Sequence, residues 1–145
     1  MPSSTFTFVN QFTENLGKGV HDFTDDTTCT VTFALCAAAN APVATNSVLA
    51  DLTQISYTNL SSRVVTGITW EQTSGTAPFT ANDLVLTASG GSVAAFRYLV
   101  AYDDDPTSPA DPLIGWFDYG SDLTLADTQT LTVDFGANGF ATISG

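Results

Sequence analysis

The sequence predicts an all-β chain: an antiparallel β-sandwich or jelly roll with one short N-terminal helix. Three observations predict it. Apolar residues alternate with threonines and small residues over several short stretches, the period of strands with two unlike faces. Glycine, proline, asparagine and aspartate punctuate those stretches at near-regular intervals, as in folds built from seven or eight short strands. Only one stretch, near the N-terminus, carries helical spacing.

The 145 residues are read as one domain, 1–145. A chain of that length buries roughly two thirds of the surface its unfolded form exposes, so no disulfide or metal staple is required. Three basic against fifteen acidic residues give a net charge of -12. Such a surface repels phosphate backbones and anionic headgroups, so neither nucleic acid nor membrane is an expected partner. Charged residues are only 12% of the chain, which leaves its polar surface largely to Ser and Thr hydroxyls. The opening MPSSTFTF lacks the basic and long apolar regions of a secretion signal, and no run of about twenty apolar residues is present to span a bilayer. The expectation is a soluble chain made in the cytoplasm.

Phe8, Phe12 and Leu16 recur at helical spacing and predict two turns of helix, stopped by Gly17 and Gly19 with Lys18 at the end, while Phe6, Phe8 and Val9 also suit a strand. Cys29, Val31, Phe33 and Leu35 then alternate with Thr28, Thr30, Thr32 and Ala34, predicting a strand with one buried and one hydroxylic face. Residues 37–46 form a small-residue connection, and Ser47 is placed to cap a short helical turn through Val48, Leu49, Leu52 and Ile55. A second strand sets Val64, Thr66, Ile68 and Trp70 against Arg63, Val65, Thr69 and Glu71, with Gly67 as a bulge or point of close approach. Residues 72–78 are expected to turn the chain into a strand at 83–88. Ser89, Gly90 and Gly91 then read as the tight loop of a hairpin into a strand at 93–102. That strand puts Phe96, Tyr98, Val100 and Tyr102 on one face and Ala95, Arg97, Leu99 and Ala101 on the other, the pattern of an interior strand. Residues 113–119 are its expected neighbour. Asp122 and Asp127 bracket a turn, Leu131, Val133 and Phe135 alternate with Thr130, Thr132 and Asp134, and GANG leads to a closing strand FATIS.

Between the two aromatic-rich strands lies DDDPTSPADP, in which Pro106, Pro109 and Pro112 fix φ and remove backbone donors. An extended, solvated loop is expected. Its acids Asp103, Asp104, Asp105 and Asp111 are of the type that binds hard cations. However, three consecutive acids before a rigid proline segment do not match the alternating, glycine-hinged spacing of a calcium loop. No metal is expected. His21, the only histidine, stands beside Asp22 without a nucleophile motif and reads as structural. Cys29 and Cys36 lie too far apart on one extended segment to bond and read as small buried apolar residues. Glu71 after Trp70 and Asp118 after Trp116 fit strand positions with the ring in and the acid out. The segments LGKGV, SGG and GANG lack a phosphate-cradle pattern and read as turns. Catalytic residues and cofactors are therefore not expected, and the chain reads as a protein that works through its surface.

The order of segments carries a resemblance. F-T-E-N-L-G-K-G-V-H-D, N-A-P-V-A-T-N-S-V-L-A-D-L-T-Q-I, W-E-Q-T-S-G-T-A, A-S-G-G, the stretch 96–120 and the closing T-V-D-F together resemble a family of small virion proteins of tailed bacteriophages, over nearly the whole chain. Such proteins are similar to capsid decoration, or cement, proteins with a jelly-roll or β-sandwich fold. The resemblance implies a non-enzymatic structural protein on the capsid exterior of a virion. Its partners would be the major capsid protein of the phage head and further copies of itself, as a dimer or trimer. A tail or fibre component, or a carbohydrate-binding β-sandwich using Trp116, Phe117 and Tyr119, is the alternative. Because prolines preset its shape, the loop carrying Asp103, Asp104, Asp105, Pro106, Pro109 and Asp111 is the candidate contact with a partner protein.

Overall fold

A computed structural model describes residues 4–136, 139 and 141–144. In chain order its elements are β1 (Thr7–Phe8), α1 (Asn10–Gly17), β2 (Val31–Cys36), β3 (Thr69–Trp70), β4 (Thr76–Thr80), β5 (Leu84–Thr87), β6 (Phe96–Asp103), β7 (Leu113–Leu123), β8 (Thr130–Val133) and β9 (Ala141–Ser144). Short 3-10 turns occupy Ala38–Asn40 and Leu49–Asp51. The fold is all-β and antiparallel, sandwich-like, with one short N-terminal helix, as the sequence predicts. The three sheets run β1-β7-β6-β2, β3-β4-β9 and β5-β8. Of the expected GANG turn and FATIS strand, Ala137, Asn138 and Phe140 lie outside the described residues, as do Met1, Pro2, Ser3 and Gly145.

β6 is interior because both of its faces are apolar. It pairs with β2 from Val31↔Asp103 to Cys36↔Tyr98, and on its other side with β7 from Tyr102↔Leu113 to Phe96↔Leu123. The register slips between Phe96 and Tyr98, where Gly120, at φ 95, helps β7 accommodate extra residues. Phe33, Phe96, Leu99, Val100, Leu113 and Ile114 are buried in one hydrophobic cluster that also takes Phe12 from α1 and Phe79 from β4. Phe8 precedes the helix in β1 rather than starting it, and stacks on Phe12 at 4.7 Å between centroids.

Several local expectations are corrected. β2 has no hydroxylic face: all six of its residues are buried. The segment after Ser62 covers its outer edge, through Phe33 N–H to Arg63 O, Val65 N–H to Val31 O and a bridge between Thr32 and Val64. The expected strand around Gly67 is broken there, because Gly67 takes φ 69 and reverses the alternation. Val65 and Ile68 are buried while Val64 and Thr66 are exposed. Asp26 fixes that kink by accepting from Gly67 N–H at 2.7 Å and Ile68 N–H at 2.8 Å.

The turn expected over 72–78 is shorter. Ser74 and Gly75, at φ 53 and 80, close a two-residue hairpin loop, and β4 begins at Thr76. Pro78 sits inside β4 opposite Thr142. β5 does not form a hairpin with β6; it pairs with β8, from Leu84↔Val133 to Thr87↔Thr130, so SGG carries the chain from one sheet to another. Ser47 is not the cap of the 3-10 turn. Instead Asp51 accepts from Ser47 N–H at 2.7 Å and Val48 N–H at 3.2 Å, which holds its carboxyl below the usual range. Cys29 and Cys36 are free and buried as expected; burial pushes the Cys36 thiol up to about 11. No helix among the described residues is long and apolar enough to cross a membrane.

Candidate functional site

Pairing of β6 with β7 presents the acidic loop at one end of the central sheet, and the two strands are its stalk. The three consecutive acids play three different parts. Asp103, expected on the solvated loop, is the last residue of β6, paired with Val31 of β2, and is buried at 1% exposure. Its Oδ2 lies 2.9 Å from Nδ1 of His21, whose side chain is fully enclosed. The histidine's partner is thus Asp103, eighty-two positions away, and not Asp22, which accepts from Thr24 N–H at 3.2 Å. His21 stacks on Phe23 at 5.2 Å and lies 5.5 Å from Phe12. Asp103 Oδ1 also accepts Asp105 N–H at 3.3 Å. Burial first, then the charge of Asp103, pushes the neighbouring Cys29 thiol upward, keeping it protonated.

Asp104 N–H donates to Thr30 O at 2.9 Å, while its side chain is exposed. Partial desolvation, followed by the Asp111 carboxylate, raises its carboxyl above the usual range. Asp105 accepts from Thr30 N–H. Together these bonds fasten the base of the loop to the entry of β2.

Above this base Asp111 takes φ 48, and its carbonyl accepts Leu49 N–H at 2.9 Å. A bridge between Thr107 and Ala110 closes the tip. Pro106 and Asp111 are half-buried, Thr107, Ser108, Pro109 and Ala110 are exposed, and Pro112 is buried. The expectation of an extended, solvated loop therefore holds in its exposure at the tip and fails in its conformation, since the Thr107–Ala110 bridge folds the tip into a turn.

Beneath the tip a groove of about 370 Å³ separates Ser108 and Pro109 from Gln11, Asn15 and Lys18 of the helical segment. Asn15 is 3% exposed, and its Nδ2 has no hydrogen-bond partner. Lys18 is bound to Glu14. Among the described residues no group of three or more His, Cys, Asp and Glu is placed to hold a metal ion.

Chemically, His21 and Asp103 are an acid and a base in contact. With both side chains sealed from solvent, the pair fastens the N-terminal segment to β6 rather than offering a proton to a ligand. Trp116, Phe117 and Tyr119 are half-buried, and Phe117 packs edge-on against Phe6 at 5.0 Å. Asp118 does not simply point outward from Trp116. Two residues along the strand, it receives Nε and Nη2 of Arg97 at 2.8 and 3.0 Å. Sequence reasoning missed two partnerships, His21 with Asp103 and Arg97 with Asp118. Strand parity carries no signal for the first, since both phases of β6 are buried at this end, and nothing in the sequence points to His21. No protein-family model matches the chain, and neither does any curated protein or any solved structure.

Proposed function

We propose that the chain is a structural virion protein of a tailed bacteriophage, a capsid decoration protein that binds the outside of the major capsid lattice. The observation that supports this reading best is the braced loop. Its base is tied down through Asp103, Asp104 and Asp105, so the exposed tip at 107–110 is presented with little shape left to lose on docking. Its residues also carry the resemblance in their central part. Attachment at many lattice positions by a small oligomer makes weak individual contacts cumulative. The role requires no catalytic group.

The test is direct. Purified protein is added to expanded heads that lack it, and the heads are sedimented and heated. Co-sedimentation with a rise in the temperature of head disruption is expected; neither binding nor protection overturns the reading. The alternative of a carbohydrate-binding module rests on Trp116, Phe117 and Tyr119, and their half-buried placement gives it no open aromatic platform.

A further inference from the structure

We infer that the outer edge of β8 is a strand-addition site for an extended, basic segment of a partner protein. The argument begins with hydrogen-bond parity. Ala88 N–H donates to Gln129 O, while Thr87 is turned the other way, donating its N–H to Ser61 Oγ and accepting Ser61 N–H. In the antiparallel register of β5 with β8, residues 84, 86 and 88 therefore face 133, 131 and 129 through hydrogen bonds. The backbone N–H and C=O of Thr130 and Thr132 consequently point away from β5, and β8 ends its two-stranded sheet. Two donors and two acceptors, repeating every two residues or about 6.8 Å, form a ladder ready for another strand.

Four other edges are shorter or covered, while β9 (Ala141–Ser144) also ends its sheet and matches β8 in length. β1 and β3 have two residues each, β2 is lined by residues 63–65, and β5 is lined by Leu60 and Ser61. β8 carries no lysine, proline or bulge, the devices that keep open edges from pairing. Beside it the outward face of β5 and β8 is uncharged: Val85, 48% exposed, lies opposite Thr132, and Thr87 opposite Thr130. An added strand would extend that face and cover part of it.

Charge selects the occupant. Exposed Asp127 and Asp134 flank the edge. A second copy of this chain brings a net charge of -12. Its three Lys and Arg side chains already have partners: Lys18 is bound to Glu14, Arg97 to Asp118, and Arg63 to Phe33 O at 2.6 Å and the Tyr57 ring. Pairing β8 with itself would gather like charges at both ends of the ladder. A partner strand with Lys or Arg flanking alternating apolar and hydroxyl residues meets both the hydrogen bonds and the charge. This inference goes beyond the decoration reading and does not depend on it.

The experiment titrates the full chain, isotopically labelled for amide NMR, with the peptide Lys-Lys-Thr-Val-Thr-Val-Thr-Lys-Lys and with its counterpart carrying Glu in place of Lys. Saturable shifts centred on the amides of Thr130 and Thr132 are expected, at least tenfold stronger for the basic peptide and weakened by salt. Thr132→Pro removes an outward N–H that no internal bond uses, a position where an edge strand tolerates proline, and it should abolish the shifts. Asp127→Asn with Asp134→Asn leaves the ladder in place and keeps one side-chain oxygen on each residue to accept Gly90 N–H and Gly136 N–H, and should weaken binding severalfold. Absence of saturation, shifts centred elsewhere, or undiminished binding by both variants overturns the proposal. So does a wild-type dimer that Thr132→Pro converts to a monomer, since the edge would then belong to a second copy. Binding of heads by a variant that has lost the peptide would separate this site from the decoration role.

Discussion

Asp103→Ala should be among the most damaging single substitutions in the chain, although it removes one of fifteen acidic side chains from a protein of net charge -12. The carboxylate is 1% exposed and holds His21, which is fully enclosed, and Asp105 N–H. Removing it leaves two buried or half-buried donors without an acceptor, each costing about 1–3 kcal/mol. Broken buried pairs as a class cost about 3–5 kcal/mol. His21 Nε2 already lacks a partner, so the ring cannot recover the loss by exchanging its proton between nitrogens. For a chain of this size about 3–5 kcal/mol corresponds to a fall in Tm of roughly 6–20 °C. Urea denaturation followed by far-ultraviolet circular dichroism measures it. Asp104→Ala is the control and should stay within about 0.5 kcal/mol of wild type. His21→Phe alone orphans the carboxylate, whereas the double variant Asp103→Ala with His21→Phe leaves neither group behind. The double-mutant cycle should therefore show a coupling of about 2 kcal/mol or more. A loss under about 1 kcal/mol for Asp103→Ala, or strictly additive single variants, would refute the reasoning.

Two further outcomes follow from the remaining acids. Arg97 holds the Asp118 carboxyl below its usual range, so the stability this pair contributes is complete above about pH 4 and disappears as pH falls through the lowered folded-state value. With side chains 31% and 40% exposed, the pair should separate wild type from Asp118→Asn by only about 0.5–1 kcal/mol at neutral pH, the difference narrowing in denaturant titrations as acid protonates the carboxyl. Asp104 has the opposite sign: its carboxyl is raised in the fold, so its ionised form opposes folding and acidification relieves it. Asp104→Asn should therefore leave the fold intact at pH 7, with any stability change positive and under about 0.5 kcal/mol, while a shift in head-binding affinity or its salt dependence reports contact with a partner.

Much of the sheet architecture was legible because its signals are local. The alternation from Phe96 to Tyr102 is apolar on both faces, and that is enough to place β6 between two neighbours. The same reasoning misread β2, since Thr32 looks solvent-facing until residues 63–65 arrive from a distant part of the chain to cover it. Gly67 shows a further limit. The sequence marks it as a special point, but whether a glycine bulges a strand or reverses its phase depends on φ, and here φ 69 moved Val65 and Ile68 inward together. Partner choice was the least legible. Ser89-Gly90-Gly91 has the composition of a hairpin loop, yet β5 pairs with β8, because hydrophobic alternation fixes which face of a strand is buried and not which strand lies beside it.

The acidic run makes the same point at the candidate site. Asp103, Asp104 and Asp105 are chemically identical and adjacent, so composition assigns them one role. The fold assigns them three. Asp103 ends β6 against His21 and becomes a buried anchor; Asp104 lies past the strand end with an exposed carboxyl beside Asp111; Asp105 turns back to Thr30 and closes the base. Replacing all three with Asn would therefore mix loss of an anchor with loss of a contact, and a weakened attachment could not be assigned to either. Asp104 and the tip at 107–110 are the parts of this loop that can change binding without first changing the fold. The tip itself carries no charge, and the exposed carboxyls of Asp104 and Asp105 lie at its base, so the specificity of the tip must come mainly from the shape that Pro106, Asp111 and the Thr107–Ala110 bridge impose.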